Sequence, residues 1–207
     1  ELDQEIKHPI ILEDIEKNKQ VHTYIEQGNE ILGVIGYTEH GFPHAKRSAN
    51  YASNILKSLG YDERTCELAA IAGYMHDIGN VVNRVAHAQS GALMAFTLLT
   101  NMGMDPLEIS QVVSAIGNHD EGTAAAVNPI AAALILSDKG DVRRTRVRDK
   151  ERIPVDIHDR VNYAVERAAL DIHPEEKTAV LDITIDTKRC PVMDYFEIFL
   201  TRMVLCR

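Results

Sequence analysis

Residues 69–80 read AAIAGYMHDIGN, an apolar helical stretch that ends in a histidine followed by an aspartate. His76 continues the stripe formed by Ala69 and Ala72, so the helical period predicts that its side chain faces the interior. Asp77 comes next, beside the same buried face. An unpaired buried carboxylate is unfavourable by about several kcal/mol, so this stretch indicates a strong compensating partner.

The same pattern recurs on other predicted helices. His119 lies three residues beyond Ile116 on an apolar face, and Asp138 lies four residues beyond Leu134. A divalent cation held by neutral imidazoles and carboxylates would compensate for all of them. Any one histidine of this kind is more often a core residue bonded to backbone; the ordered set is what favours a metal site. The candidate ligands are His44, His76, Asp77, His87, His119 and Asp138.

Helical signals dominate the chain and predict a mostly α fold, a helical bundle around the metal site. Asp62, Asp105 and Asn128 are typical helix caps, and Gly103 is a typical helix stop. We expect an N-terminal helical segment at 1–36 that packs on the core, a metal-binding domain at 37–170 and a C-terminal strand-plus-helix appendage at 171–207.

Within the appendage, residues 181–185 alternate between apolar and polar, as in a β-strand. A weak helix is predicted at 156–169, and a further helix begins at Pro191. No partner strand is evident in the sequence, and a lone strand leaves its backbone groups unpaired. The partner is therefore predicted in another protomer, giving a homodimer through the appendage, or in a C-terminal segment beyond this sequence.

The overall composition limits the class of protein. The chain has 207 residues, 45% of them hydrophobic and 26% charged, which excludes disorder and fibrous repeats. A net charge of −9 disfavours binding of nucleic-acid polymers. No apolar run approaches the length of a membrane helix, so no membrane partner is expected. Three scattered cysteines favour a reducing cytoplasm over a disulfide framework.

The ordered ligand set resembles the HD-domain metal-dependent phosphohydrolase superfamily. The resemblance covers roughly residues 40–150 and rests on His44, on His76-Asp77, and on Asp138 in ALILSDKGD. It implies that His44, His76, Asp77 and Asp138 bind a first divalent metal ion. His87 and His119 match the extra histidines of two-metal members, in which Asp77 would bridge the ions. The two ions would be Fe, Mn, Co, Ni or Zn.

The expected activity is hydrolysis of a phosphate ester or anhydride of a small molecule, in the first place a nucleotide, by a metal-bound hydroxide. Cyclic-dinucleotide phosphodiesterases of this type have Lys where this chain has Asn80. They also have Gly-Tyr-Pro after the histidine that matches His119, whereas His119 is followed here by DEGT, so that activity is disfavoured. Dinucleotide-polyphosphate hydrolases with this fold also use a histidine near His119. A di-iron oxygenase on the same scaffold and a non-catalytic metal-binding regulatory module remain as alternatives.

Cationic residues near the ligands are candidates for catalysis and phosphate binding. The predicted catalytic residues are Asp77, through the metal ions, and Lys139 and Arg84, which would assist the leaving group; the alternative for these two cations is a solvated surface charge. The segment 138–152 carries seven basic residues against four acidic ones and is either a phosphate-binding rim or an exposed loop.

Asp141, one turn beyond Asp138, either orients a ligand or binds substrate. The predicted substrate-binding residues are Asp141, Arg143, Arg144 and Arg146. The other histidines, His40 among them, are treated as surface or structural.

Overall fold

The computed structural model describes residues 8–207, so residues 1–7 of the predicted N-terminal segment lie outside the described residues. The described chain folds into nine α-helices and one β-hairpin, which confirms the mostly α class with a C-terminal strand-and-helix appendage. The helices are α1 (Leu12–Lys17), α2 (Lys19–Val34), α3 (Phe42–Ser58), α4 (Glu63–Met75), α5 (His87–Met102), α6 (Pro106–Gly117), α7 (Pro129–Lys139), α8 (Ile157–Ala164) and α9 (Val192–Cys206). The strands are β1 (Val165–His173) and β2 (Thr178–Ile185).

Side-chain caps set the starts of the helices that carry the site. The Asp62 carboxylate accepts a hydrogen bond from the Thr65 amide at 2.9 Å and begins α4. Asp105 accepts from the Leu107 amide at 2.9 Å, and Asn128 accepts from the Ala131 amide at 2.7 Å. These contacts satisfy amide donors that have no partner within their own helix, and they define where α4, α6 and α7 begin.

One hydrophobic core joins the central helices. α4 packs against α3, α6 and α7, and α5 packs against α6. Ile71, Met75, Leu99, Ile116 and Leu134 are fully buried in this core. Because the apolar faces of these helices meet at one place, polar residues on the same faces are brought together there.

Two glycines allow the backbones around the site to approach closely. A Cβ at Gly73 would lie 2.8 Å from the backbone of Ala49, so glycine permits the contact between α3 and α4. A Cβ at Gly79, in the short 3₁₀ segment Ile78–Val81, would lie 2.0 Å from the carbonyl oxygen of His87. Glycine at this position therefore allows α5 to begin directly against the segment that carries His76 and Asp77.

The C-terminal hairpin differs from the prediction. α8 ends at Ala164, and the expected helical residues 165–169 form β1, which pairs antiparallel with β2 from Val165 to His173. The partner strand thus lies within this chain, and the prediction of a partner in another protomer or in a missing segment is wrong. Ala168 and Ala169, strong helix formers, obscured the strand pattern, whereas pairing with β2 satisfies their backbone groups.

A second, smaller core holds the appendage to the bundle. Tyr195 and Phe199 of α9 pack with Val161 of α8 and Val165 of β1, and all four side chains are buried. α9 also contacts α7, which places its last turns beside the metal-ligand cluster. The domain limits at residues 36/37 and 170/171 stay a prediction, and β1 runs through the second of them. Among residues 8–207, no helix has the length and apolar character needed to cross a bilayer.

Candidate metal centre

Five separate places in the bundle supply the predicted ligands. Each lies at or near a helix end: the first turn of α3, the residues after α4, the start of α5, the residues after α6, and the last turn of α7. All four imidazoles are buried, with at most 2% of their surface exposed. The structure brings together the whole predicted set, which is His44, His76, Asp77, His87, His119 and Asp138.

Four of these residues form a first ligand group. The His44 Nε2 atom lies 3.2 Å from His76 Nε2, 3.5 Å from Asp77 Oδ2 and 3.3 Å from Asp138 Oδ1. The His76 Nε2 atom lies 3.4 Å from Asp77 Oδ2 and 3.7 Å from Asp138 Oδ1. Nitrogen and oxygen ligands about 2.0–2.2 Å from one ion are separated from each other by about 3–3.6 Å. The spacing therefore suits a single divalent ion.

A second ligand group shares Asp77 with the first. The Nε2 atoms of His87 and His119 lie 3.2 Å apart, and His87 Nε2 lies 3.5 Å from Asp77 Oδ1. Asp77 thus directs one oxygen to each group, as a carboxylate that bridges two ions would. Asp120 borders the second group, with its Oδ1 4.0 Å from His87 Nε2.

Hydrogen bonds at Nδ1 fix the ring orientation of three ligand histidines. The Nδ1 atoms of His76, His87 and His119 lie 2.7, 3.0 and 2.6 Å from the carbonyl oxygens of Gly73, Arg84 and Ile116. A carbonyl can only accept a hydrogen bond, so each Nδ1 carries the proton, and the neutral ring presents a lone pair at Nε2. Close pairs of Nε2 lone pairs repel one another unless a cation lies between them. The donor set therefore fits divalent metal ions.

One buried carboxylate oxygen leads to the same conclusion. Within the described part of the chain, Asp77 Oδ2 is fully buried and has no hydrogen-bond donor. Such an atom is unfavourable unless a cation compensates it. Asp77 Oδ2 belongs to the first ligand group, so an ion held there would supply the missing partner.

The pKa shifts of four ligands match the protonation states that a metal ion needs. His76 differs: burial lowers its pKa, but Asp77 and Asp138 raise it by more, so His76 must lose a proton when an ion binds. Burial lowers the pKa of His119 to about 3 and also lowers the pKa of His87. Burial raises the pKa of Asp77, but His76 and the other histidines outweigh it and hold that pKa well below its ordinary value. For Asp138, burial is likewise outweighed, first by Lys139 and then by His44. At neutral pH both carboxylates are charged, and His87 and His119 are neutral.

Asp141 lies on the Nδ1 side of His44 and lines neither of the cavities beside the ligands. Its Oδ2 accepts a hydrogen bond from His44 Nδ1 at 2.7 Å, and its Oδ1 lies 2.9 Å from Arg143 Nε and 3.1 Å from Arg47 Nε. The side chain is fully buried. The predicted substrate contact is therefore replaced by the other role considered for Asp141, orientation of a metal ligand.

Most of the basic segment 139–152 does not form the predicted phosphate rim. Arg143 binds Asp141 and Glu39, and the Arg144 Nε donates to the carbonyl of Tyr163 at 2.6 Å. Neither side chain lines the cavities at the metal ligands, so the substrate-binding assignment of Arg143 and Arg144 is not supported by their positions. Two carboxylates hold Arg143, and a backbone carbonyl near the end of α8 holds Arg144; the sequence pattern shows neither contact.

The three other predicted cations do lie at the site. The Lys139 Nζ is 2.6 Å from Asp138 Oδ2 and 3.2 Å from Glu121 Oε2. Arg84 lies 3.8 Å from Asp77 Oδ1, with its guanidinium over the ring of Tyr37. Arg146 is buried and lines the cavity beside the ligands, where it donates to the carbonyls of Glu39 and Asp141.

A larger cavity of about 340 Å³ opens beside the ligand cluster. Segment 35–40, one face of α8 and the second half of α9 form most of its walls. A second, much smaller cavity lies directly at the ligands Asp77, His87, His119 and Asp138. The two cavities share four side chains, which are those of His40, Arg84, Arg146 and Arg202. The two cavities are therefore neighbours, separated by no more than these side chains.

His40 and Arg202 are site residues that the sequence analysis missed. His40 Nδ1 lies 2.7 Å from the Thr38 carbonyl, and burial, followed by Arg146, keeps the pKa of His40 well below its ordinary value. Its closeness to His44 in the sequence was the available signal. Arg202 Nε lies 2.5 Å from Glu121 Oε1. The sequence around Arg202 contains no motif that would mark it as a site residue. Only the packing of α9 shows its place.

The fold and the ligands define a metal-binding helical bundle with a shared His/Asp centre. The sequence model of the HD domain family matches residues 41–164, which include all six ligands. The chain belongs to the HD domain family, as its resemblance predicted. Arg202 lies outside the matched residues.

Two similar proteins extend the comparison. The uncharacterized protein MJ1020 of Methanocaldococcus jannaschii is 27% identical over 206 residues, covering 86% of this chain and 77% of that protein. A crystal structure of a protein described as a predicted HD superfamily hydrolase, from an uncultured Thermotogales bacterium, is 25% identical. It covers 60% of this chain and 67% of the other, with a TM-score of 0.47.

Proposed function

We propose that the chain is a metal-dependent phosphohydrolase that cleaves a phosphate ester or anhydride of a small molecule, with nucleotides as the first candidates. The observation that supports this most directly is the larger cavity beside the ligand cluster, because three guanidinium groups border both the cavity and the ligands. These guanidinium groups belong to Arg84, Arg146 and Arg202. Guanidinium groups match the geometry and charge of phosphate oxygens.

The charge of the centre favours an anionic substrate. Two divalent ions would outweigh the two ligand carboxylates, although the chain as a whole carries −9. The field is then positive in the cavity and negative over most of the surface. We infer that small phosphorylated molecules enter while nucleic-acid polymers are repelled.

The side chains around the cavity have separable roles in such a reaction. Bound divalent ions lower the pKa of a coordinated water towards neutrality and offset the charge of phosphate oxygens. His44, His76, Asp77 and Asp138 would hold one ion, and Asp77, His87 and His119 the other.

Two cations would act on the phosphate group itself. The Lys139 ammonium has three donors, two of which meet Asp138 and Glu121, so the third can donate to a phosphate or leaving-group oxygen. Arg202 is held at Nε by Glu121, which leaves its terminal nitrogens for phosphate oxygens. Both groups stabilise charge that grows as the phosphate bond breaks.

The test is metal loading followed by a substrate screen. The protein is stripped with a chelator, reloaded in turn with Mn²⁺, Co²⁺, Fe²⁺, Ni²⁺ or Zn²⁺, and assayed for phosphate release from nucleotides, sugar phosphates and aryl phosphates. We expect release with at least one ion. Asp77→Ala should lose bound metal and hydrolysis together, because Asp77 contributes to both ligand groups. Asp171→Ala, which changes an exposed aspartate of β1, is the matched control.

Two results would contradict the proposal. One is full hydrolysis by Asp77→Ala towards a substrate that the unaltered protein cleaves. The other is oxygen consumption by the iron-loaded protein with no phosphate release from any compound, which would favour the oxygenase.

A further inference from the structure

The end of the 340 Å³ cavity formed by α8 has a chemistry that phosphate binding does not explain. Asp159 and Asn162 line it from the first and second turns of α8. Their exposed fractions are only 5% and 6%. Both are hydrogen-bonding side chains that are largely buried and face the cavity, so a ligand there would meet their polar atoms.

The carboxylate of Asp159 has no hydrogen-bond donor within the described residues. Its backbone amide donates to Asp156, but no side chain or amide among these residues donates to its carboxylate, which faces the cavity. The nearby cation, Arg152, pairs with Asp156 instead, at 3.3 Å. Burial, and then the charge of Asp156, raises the pKa of Asp159, as expected for a carboxyl group without a compensating donor.

Asn162 adds a second acceptor at the same place. Its amide nitrogen donates to the carbonyl of His158 at 2.9 Å, which leaves its carbonyl oxygen without a donor in the described chain. Asp159 and Asn162 lie three residues apart on one helix, so their side chains share a face. Together they form an acceptor surface that calls for a ligand with hydrogen-bond donors.

The surrounding charges decide which donors fit. Four arginines line the same cavity (Arg84, Arg146, Arg152 and Arg202), against two aspartates. This cationic environment disfavours an ammonium group on the ligand. Neutral hydroxyl groups donate hydrogen bonds without that repulsion.

Resting on the proposed function, we infer that Asp159 and Asn162 bind the hydroxyl groups of a phosphorylated polyhydroxy compound, such as a ribose phosphate or ribonucleotide. Its phosphate group then lies at Arg84 and Arg202 beside the metal centre. The walls between the two ends carry Ile35, Tyr37 and Phe199, which suit the carbon skeleton of the ligand. The cavity therefore selects for hydroxyl groups at one end and for phosphate at the other.

The experiment measures binding separately from turnover. Titration calorimetry on the metal-loaded protein compares ribose 5-phosphate, n-pentyl phosphate (of similar length without hydroxyls) and inorganic phosphate. We expect ribose 5-phosphate to bind at least about tenfold more tightly than pentyl phosphate, because buried acceptors penalise a ligand that lacks donors. Asp159→Leu should reduce this ratio to within about twofold and leave the affinity for inorganic phosphate unchanged.

Asp159→Asn, which keeps one acceptor oxygen, should give an intermediate ratio, and Asp171→Asn should leave the ratio unaltered. Equal affinities of the unaltered protein for the two organic phosphates would overturn the inference without any variant. An unchanged ratio in folded Asp159→Leu would overturn it as well. Selective binding of ribose 5-phosphate with no phosphate release from any compound would support this inference while refuting the proposed hydrolase.

Discussion

Asp141 and His44 show how a residue outside the ligand set can control one inside it. The carboxylate of Asp141 lies 2.7 Å from His44 Nδ1 and is itself held by Arg143. This contact directs the His44 Nε2 lone pair towards the first ligand group. A charged acceptor also makes the imidazole a stronger ligand than a backbone carbonyl does.

Asp141→Asn tests this role. The asparagine keeps the size but loses the charge, so the affinity of the first ligand group for metal should fall about 10- to 100-fold. Metal titration of the stripped protein measures the change, and Asp171→Asn is the exposed control. Unchanged metal affinity together with weakened substrate binding would return Asp141 to the substrate-binding role.

His76, His119 and Asp138 could be predicted because each continues an apolar helical stripe, and burial of a stripe directs its polar members inward. Asp141 and Arg143 follow the end of α7, where no helical period relates side-chain direction to sequence. Their contacts depend on how the chain turns after Lys139. Arg202 is beyond prediction for another reason: it is one of several charged residues in the tail, and only the packing of α9 on α7 brings it to the site.

At the scale of elements, the site depends on close contacts between helices. α5 begins against the His76–Asp77 segment because Gly79 has no side chain, and His87 is the first residue of α5. A Cβ at Gly79 would also lie 2.5 Å from the amide nitrogen of Gly91. Both neighbours are backbone atoms, so the clash can be relieved only by moving α5.

Gly79→Ala should therefore lower the free energy of unfolding by about 1–3 kcal/mol, as overpacking of a core does. It should also weaken the second ligand group more than the first, because His87 moves with α5. Chemical denaturation and metal stoichiometry measure the two effects. Gly117→Ala is the matched control, since its Cβ would make only an ordinary 3.5 Å contact with Ala92. Equal losses in both variants would show that the close approach at Gly79 is unimportant.

The elements were predicted where caps and apolar periods agree, as in α4, α6 and α7. They were missed in β1, where Ala168 and Ala169 favour a helix and only β2, some ten residues later, supplies the pairing. Strand formation there depends on a tertiary partner, which helix propensity does not take into account.

For the whole molecule, the metal centre joins helices that are distant in sequence. Ligands from α3, from the segment after α4, from α5, from the segment after α6 and from α7 all meet there. An ion that binds only this assembled set stabilises the complete bundle. At an ion concentration 100 times the dissociation constant, the gain is about 2.7 kcal/mol.

Because a bound ion stabilises the bundle, it should also raise the melting temperature, and we expect the size of that rise to depend on pH. Burial lowers the pKa of His76, but Asp77 and Asp138 raise it by more, so the metal-free protein holds a proton on His76 to above the ordinary value of 6.5. A metal ion needs that nitrogen deprotonated, so binding releases the proton. Affinity should rise as pH increases through the raised pKa and level off above it, while Asp77 and Asp138, whose pKa values are lowered, stay charged throughout.

Thermal unfolding with Mn²⁺ and with chelator, at about pH 5.5 and about pH 8, measures this difference. The shift caused by the metal should be larger at the higher pH. Asp77→Ala, which lacks the shared ligand, should show little shift at either pH. A shift as large at the lower pH as at the higher would mean that no ligand proton competes with the ion, contrary to the contacts of His76 with the two carboxylates.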